Sequence, residues 1–411
     1  VAPEISALIV RLTDPAWKER QKAQDALVAM GNGAVTALQS SLNDNPDSEL
    51  RHRIQTVLVK IEQIGETGAS SITLDLNDVS PQQFFSELSK QIRAELLPAQ
   101  ENLWDNNTFA KQSIKVQSAS FWEVMKLAQE KFGIEVVQWG DGIRIVPNGQ
   151  GGGTMRGPSA VSGPFMVVAQ RVHRAQTIDL ANGGGTQNEF HVQFMGFAEP
   201  KLRLLQAGSE LQLDEATDDN GNSLILTNAP AHNGYASGIN GAWNFTARIR
   251  YPEQNPGRKI ARLKGRLPVI LQTGYESIDI EDPLSQKNVV KNLGGMKFVM
   301  KELLRNNDRF TLKLAIHVNP EMHARLQGIL NNNGNNADLR LIDDTGQTYF
   351  AQSRGTNNVN NVFDVTIDFV SDPYRRSNRK TPGQPVKLTI RVPTETKNVS
   401  IPVEFNDLPI P

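Results

Sequence analysis

LQLDEATDDNGNSLIL, residues 211–226, can be read as a calcium loop or as a strand turning back on itself, and the choice decides the fold. A calcium loop of the helix–loop–helix kind needs oxygen ligands at its first, third, fifth and twelfth positions, with glycine at the sixth. Placing Gly221 at the sixth puts Ala216 at the first and Thr227 at the twelfth, and the flanks are strand-like. The Asp-Asp-x-Gly spacing suits a β-turn instead, because Asp accepts local backbone N–H bonds while Gly or Asn takes positive φ. LRLIDDTGQTYFAQ, residues 339–352, repeats the pattern at Asp343, Asp344 and Gly346. Two such turns between apolar strands predict related hairpins in two β bodies, with no bound metal.

The period of two extends well beyond these turns. Phe190, Val192 and Phe194 alternate with His191 and Gln193, and Phe310, Leu312, Leu314, Ile316 and Val318 alternate along RFTLKLAIHV. FDVTIDF, VKLTIRV and VSIPVEF repeat it near the C-terminus. Strands with polar alternates argue for antiparallel β-sandwiches, Ig-like in architecture, each with one wet face. We place one at 163–260 and another at 261–411, after a Gly/Pro/Ser linker at 148–162. The last strand sets Val399, Ile401, Val403 and Phe405 on one face, and Pro402 on the other marks an edge. Asp364 and Asp368 are expected to meet Lys387 and Arg391 across neighbouring strands.

The N-terminal third reads differently. In residues 1–64 a helical period carries Leu8, Leu12, Asp14, Arg20 and Leu27, and it recurs as Leu38, Leu42, Asp44, Arg51 and Leu58. This resembles a pair of HEAT-type repeats, too few for a self-sufficient solenoid, so its apolar face is expected to dock elsewhere. From 71 to 147, strands alternate with helices: SITLDL, SPQQFFSELSKQI, SIKVQS, SFWEVMKLAQEKFG, then IEVVQW and GIRIV. Phe84, Phe85, Leu88 and Ile92 stripe one helix, and Phe121, Val124, Met125 and Ala128 the other, with serines at the N-cap positions. The order resembles the short N-terminal domain of secretins and TonB-dependent receptors, with LLPAQENLWDNNTFA a longer connection than is usual. That family's modules pack side by side in rings or receive a partner peptide, and the resemblance implies no catalytic residues. Taken together the chain reads as multidomain α+β.

Composition removes several functions. The 411 residues contain no cysteine, so disulfides, thiolate metal sites and cysteine nucleophiles are excluded. Lys+Arg 43 against Asp+Glu 44 gives no global field toward nucleic acid. No apolar run approaches the roughly 18 residues of a membrane-spanning helix. The start at VAPEI, without methionine, fits a leader that was either removed or lies outside this sequence. The glycine run ending at Gly157 has Pro158 where a phosphate loop needs lysine. Six histidines are scattered, and His317 and His323 lack zinc-protease spacing. His191 and His317 fall on polar alternates and are expected to face solvent.

One local charge excess runs through Arg258, Lys259, Arg262, Lys264 and Arg266, and a second ends at Lys380. The first is a candidate contact for an anionic partner such as a cell-wall polymer. Candidate interface residues are Leu8, Leu12, Leu38 and Leu42 on the repeat face, with Ile401, Val403 and Phe405 on the last strand. The order of parts resembles large exported proteins of planctomycete-type bacteria, which implies a periplasmic, outer-membrane-associated or surface location. The expectation is a non-enzymatic, cofactor-free envelope component that self-associates as a ring or array. Two alternatives are a periplasmic scaffold gripping a polypeptide or polymer, and a calcium- or carbohydrate-binding surface protein.

Overall fold

The computed structural model describes residues 3–411 except 31, 45–46, 93, 95, 101, 107–108, 140–141, 151–154, 182–184, 227–233, 238–240, 308, 320–338 and 371–382. Two compact units emerge, Val1–Ser70 and Ser71–Pro411, the first helical and the second dominated by antiparallel strands. The class is multidomain α+β.

The first unit holds α1 (Pro3–Arg11), α2 (Trp17–Met30), α3 (Asn32–Asp44) and α4 (Ser48–Thr67). Its helices bury their own stripes: Ile9, Leu12, Leu27, Leu38, Ile54 and Val57 form one core. Leu12 and Leu38, expected on an open docking face, are interior residues of this core, whereas Leu8 and Leu42 are half-buried against it. The apolar face predicted to need another partner is therefore largely closed by the four helices themselves.

The second unit begins with a repeated strand–helix step: β1 (Ile72–Val79), α5 (Pro81–Ile92), β2 (Gln112–Ala119) and α7 (Phe121–Phe132), with a short α6 (Leu103–Asn106) between. β1 and β2 pair antiparallel. Each step is built alike. Asp78 and Ser118 take positive φ, 51° and 52°, just before the caps. Ser80 and Ser120 then exchange bonds with Gln83 and Glu123, satisfying N–H groups that a bare helix start would orphan. Gly133, with φ of 66°, ends α7 in the left-handed conformation. The hairpin β3 (Ile134–Trp139) and β4 (Gly142–Pro147) follows. The long connection contributes to the core, since Trp104 stacks on Phe85 at 6.0 Å.

The 148–162 segment is not simply a linker. Met155 is buried in the α/β core, and β5 (Ser159–Ser162) pairs with β6 (Phe165–Asp179). With β7 (Gly185–Ala198) and β11 (Ala242–Arg248) these make a sheet in the order β11-β7-β6-β5. Its outward face carries Met166, Val168 and Phe197, and the α/β module covers them. Trp122 lies in this contact, 5.6 Å from the Phe197 ring, and its Nε1–H donates to the Pro164 carbonyl at 3.0 Å.

The inward face meets a second sheet organised on two very long strands, β12 (Lys259–Glu281) and β19 (Pro385–Pro409). They pair antiparallel from Lys259↔Pro409 to Glu281↔Lys387. β8 (Leu204–Gly208), β9 (Gln212–Asp218) and β16 (Leu339–Asp343) flank them, with β10 (Tyr235–Ser237) beyond β8. One end of the ribbon gives Leu263, Leu267, Ile401, Val403 and Phe405 to the first core. The other gives Ile278, Ile280, Leu388 and Ile390 to a second core, under a sheet ordered β13-β14-β15-β18-β17. Those strands are Val289–Leu293, Met296–Asn306, Arg309–His317, Val362–Val370 and Phe350–Val359, respectively. In β12 the buried side switches from odd to even positions across the irregular register between Gln272 and Tyr275, as a bulge requires.

Two sequence expectations change here. The boundary drawn at 260/261 falls inside β12, which serves both cores, so the layered bodies share strands. Asp364 and Lys387 lie in different sheets: Asp364 pairs with Lys301 at 2.5 Å, while Lys387 pairs with Asp279 at 2.6 Å. Asp368 is buried against the Thr311 hydroxyl at 2.7 Å rather than facing Arg391.

Candidate functional site

The two acidic turns occupy equivalent places, Asp218 at the end of β9 and Asp343 at the end of β16. Asp218 Oδ1 accepts from the backbone N–H of Asn220 at 3.0 Å and of Asn222 at 2.7 Å. Its Oδ2 accepts from Asn222 Nδ2 at 2.8 Å and from Gly257 N–H at 2.7 Å. Asp343 Oδ1 accepts from Thr345 N–H at 2.9 Å and Gln347 N–H at 2.8 Å, and its Oδ2 from Gly383 N–H at 3.1 Å. Each carboxylate thus ties its own turn to the glycine that leads into a long ribbon strand. Burial alone would raise both carboxyls, but these bonds outweigh it and hold both below the ordinary carboxylate range. Every carboxylate oxygen faces N–H groups, so a calcium ion would have to displace the bonds that shape the turn.

The glycines are the part that sequence reading missed. A Cβ on Gly257 would lie 2.1 Å from Asp219 Oδ1, and one on Gly383 would lie 1.9 Å from Asp344 Oδ1. A signal existed: Pro256-Gly257 and Pro382-Gly383 each precede a long alternating strand.

The cationic stripe lies on the wet face and entrance of β12, and carboxylates of its neighbours meet it. Arg262 lies 3.3 Å from Glu215 and 3.2 Å from Glu404. Arg266 holds Asp214 through two bonds, at 3.1 Å and 2.8 Å. Lys259 pairs with Asp407, and Lys264 sits in register between Glu215 and Glu404. Arg258 is exposed at the strand entrance, where its backbone N–H donates to Asp219 Oδ1 at 2.9 Å. The excess visible along one strand is matched across three, which corrects the reading of an uncompensated surface for polyanions. The second basic run, ending at Lys380, lies outside the described residues, as does His323.

The last strand is likewise occupied. Ile401 and Val403 are each 1% exposed and Phe405 stacks on Phe194 at 5.3 Å, within one copy of the chain. They are core residues, and the expectation that they form an intermolecular seam is corrected. Large apolar side chains do face water elsewhere: Val10 is 70% and Trp17 65% exposed at the junction of α1 and α2, and Leu180 is 86% exposed beside the β6–β7 turn.

Among the described residues no three His, Asp or Glu side chains gather to hold a metal, and no helix is long and apolar enough to cross a membrane. Pairing of β6 with β7 does set His173 directly opposite His191, their rings 4.8 Å apart. Sequence spacing alone, which singled out 317 and 323, does not reveal that pair.

No protein-family model matches the chain, and no curated protein does. A solved structure, the conserved domain protein from Bacillus anthracis, aligns at 10% identity over 61% of this chain and 89% of that one, with a TM-score of 0.18. So low a score carries no argument about fold or function.

Proposed function

We propose that this protein is a non-enzymatic structural component of a bacterial envelope or surface assembly, acting through contacts between folded parts. The helical unit is read as HEAT-like, the β1–β4 segment as secretin-N-like, and the two layered bodies as Ig-like sandwiches joined by a common ribbon. Export to the periplasm, outer membrane or surface belongs to the same reading. The observation that carries it is the pair Val10 and Trp17, left in water on a unit whose other apolar residues are mostly enclosed. Isolated apolar residues on a surface are ordinary, but an exposed tryptophan is the residue type that anchors contacts. With the last strand buried, self-association is assigned to the α1–α2 junction.

Size-exclusion chromatography with light scattering tests this. The wild type is expected to show a concentration-dependent rise in mass that Trp17→Ala abolishes. A strict monomer at every concentration overturns self-assembly. Recovery of one dominant envelope polypeptide by that monomer would instead support the partner-gripping reading.

A further inference from the structure

We propose that His173 and His191 form a two-nitrogen chelate for a borderline divalent transition cation, zinc in the first instance, on the outward face of the β6–β7 hairpin. The two residues are directly opposed in the antiparallel register, so both side chains leave the sheet on one side. Their ring centroids are 4.8 Å apart at an interplanar angle of 36°. Two imidazoles so placed can reach one ion at the usual zinc–nitrogen distance of about 2.0–2.1 Å after small side-chain rotations.

The surroundings suit that chemistry. Gln193 Nε2 lies 3.3 Å from His191 Nε2, and because an amide N–H donates, the contact puts the lone pair of neutral His191 on Nε2, where a cation would take the place of that bond. Burial, and then the neighbouring charge of His173, favour neutral His191 against the opposing pull of Glu189. Neutral imidazole is the form a metal binds. Water would fill the remaining coordination positions. The cations facing the pair are Arg171 from β6 and Arg248 from β11, which is opposite His191. Glu210 holds the Arg248 guanidinium at 2.7 Å and 2.9 Å and compensates its charge. Arg171 adds some repulsion, so the affinity expected is micromolar rather than that of a closed structural site.

Isothermal titration of the full chain, without a histidine tag, with zinc chloride at neutral pH tests the proposal. One saturable site is expected, weakened about tenfold or more by His173→Ala or His191→Ala and unchanged by His317→Ala. Circular dichroism of each variant checks that the fold is kept. Absence of saturable binding at millimolar zinc, or equal binding by both histidine variants and wild type, overturns it.

Discussion

Replacing Asp218 by alanine removes one carboxylate and leaves four donors without their acceptor: Asn220 N–H, Asn222 N–H, Asn222 Nδ2 and Gly257 N–H. The Gly257 bond is buried, so water cannot readily replace it. A buried donor left unsatisfied costs about 1–3 kcal/mol, and the partly exposed ones cost less because water substitutes. We therefore expect a loss of about 3 kcal/mol, read by urea unfolding as a lower midpoint with an unchanged slope. Asp218→Asn should recover only part, because its amide would present a donor to one of the N–H groups. The pH dependence has a definite sign. A carboxyl whose folded pKa lies below its unfolded value of about 3.9 contributes stability that is fully present above that value. That contribution is lost as pH falls through the folded pKa, so the gap between wild type and variant should close in acid below about pH 4. A loss under about 0.5 kcal/mol, or a gap that calcium rather than acid changes, would refute the reasoning.

The companion site gives a sharper steric case. Gly383→Ala would set a Cβ 1.9 Å from Asp344 Oδ1, and thermal unfolding should fall by several degrees, whereas Gly221→Ala, with open space around its Cβ, should show only the smaller strain of positive φ. Trp122→Phe removes the bond to the Pro164 carbonyl and part of the contact with Phe197. It should cost about 2–3 kcal/mol and speed hydrogen exchange along β5 and β6. The double-mutant cycle of Arg266 with Asp214, an exposed pair, should return under about 1 kcal/mol and shrink in high salt; a value of several kcal/mol would contradict the wet-face assignment.

What the sequence made legible follows the range of the forces involved. The strand–helix steps from Ile72 to Pro147 could be read because periodicity and serine caps act over a few residues, and Ser80 and Ser120 both cap as expected. The acidic turns were legible as turns for the same reason. Strand partnership was not, because Arg262 meets Glu404 across 142 residues of sequence, and nothing local specifies that pairing. The misreadings of the last strand and of the cationic stripe share this origin. Alternation showed that Ile401, Val403 and Phe405 share a face, and only the register with β12 shows that the face is the core. Likewise a strand rich in arginine looks unbalanced until its acidic neighbours are known. The histidine pair was hidden because one hairpin register, rather than sequence spacing, brings it together.

The central functional claim is that this chain works through a contact at the α1–α2 junction. Hydrogen–deuterium exchange at dilute and at high protein concentration tests it most directly. The account predicts added protection in residues 3–30 on concentration, with residues 396–409 unchanged. Protection appearing on the terminal strand instead, or nowhere, would contradict it.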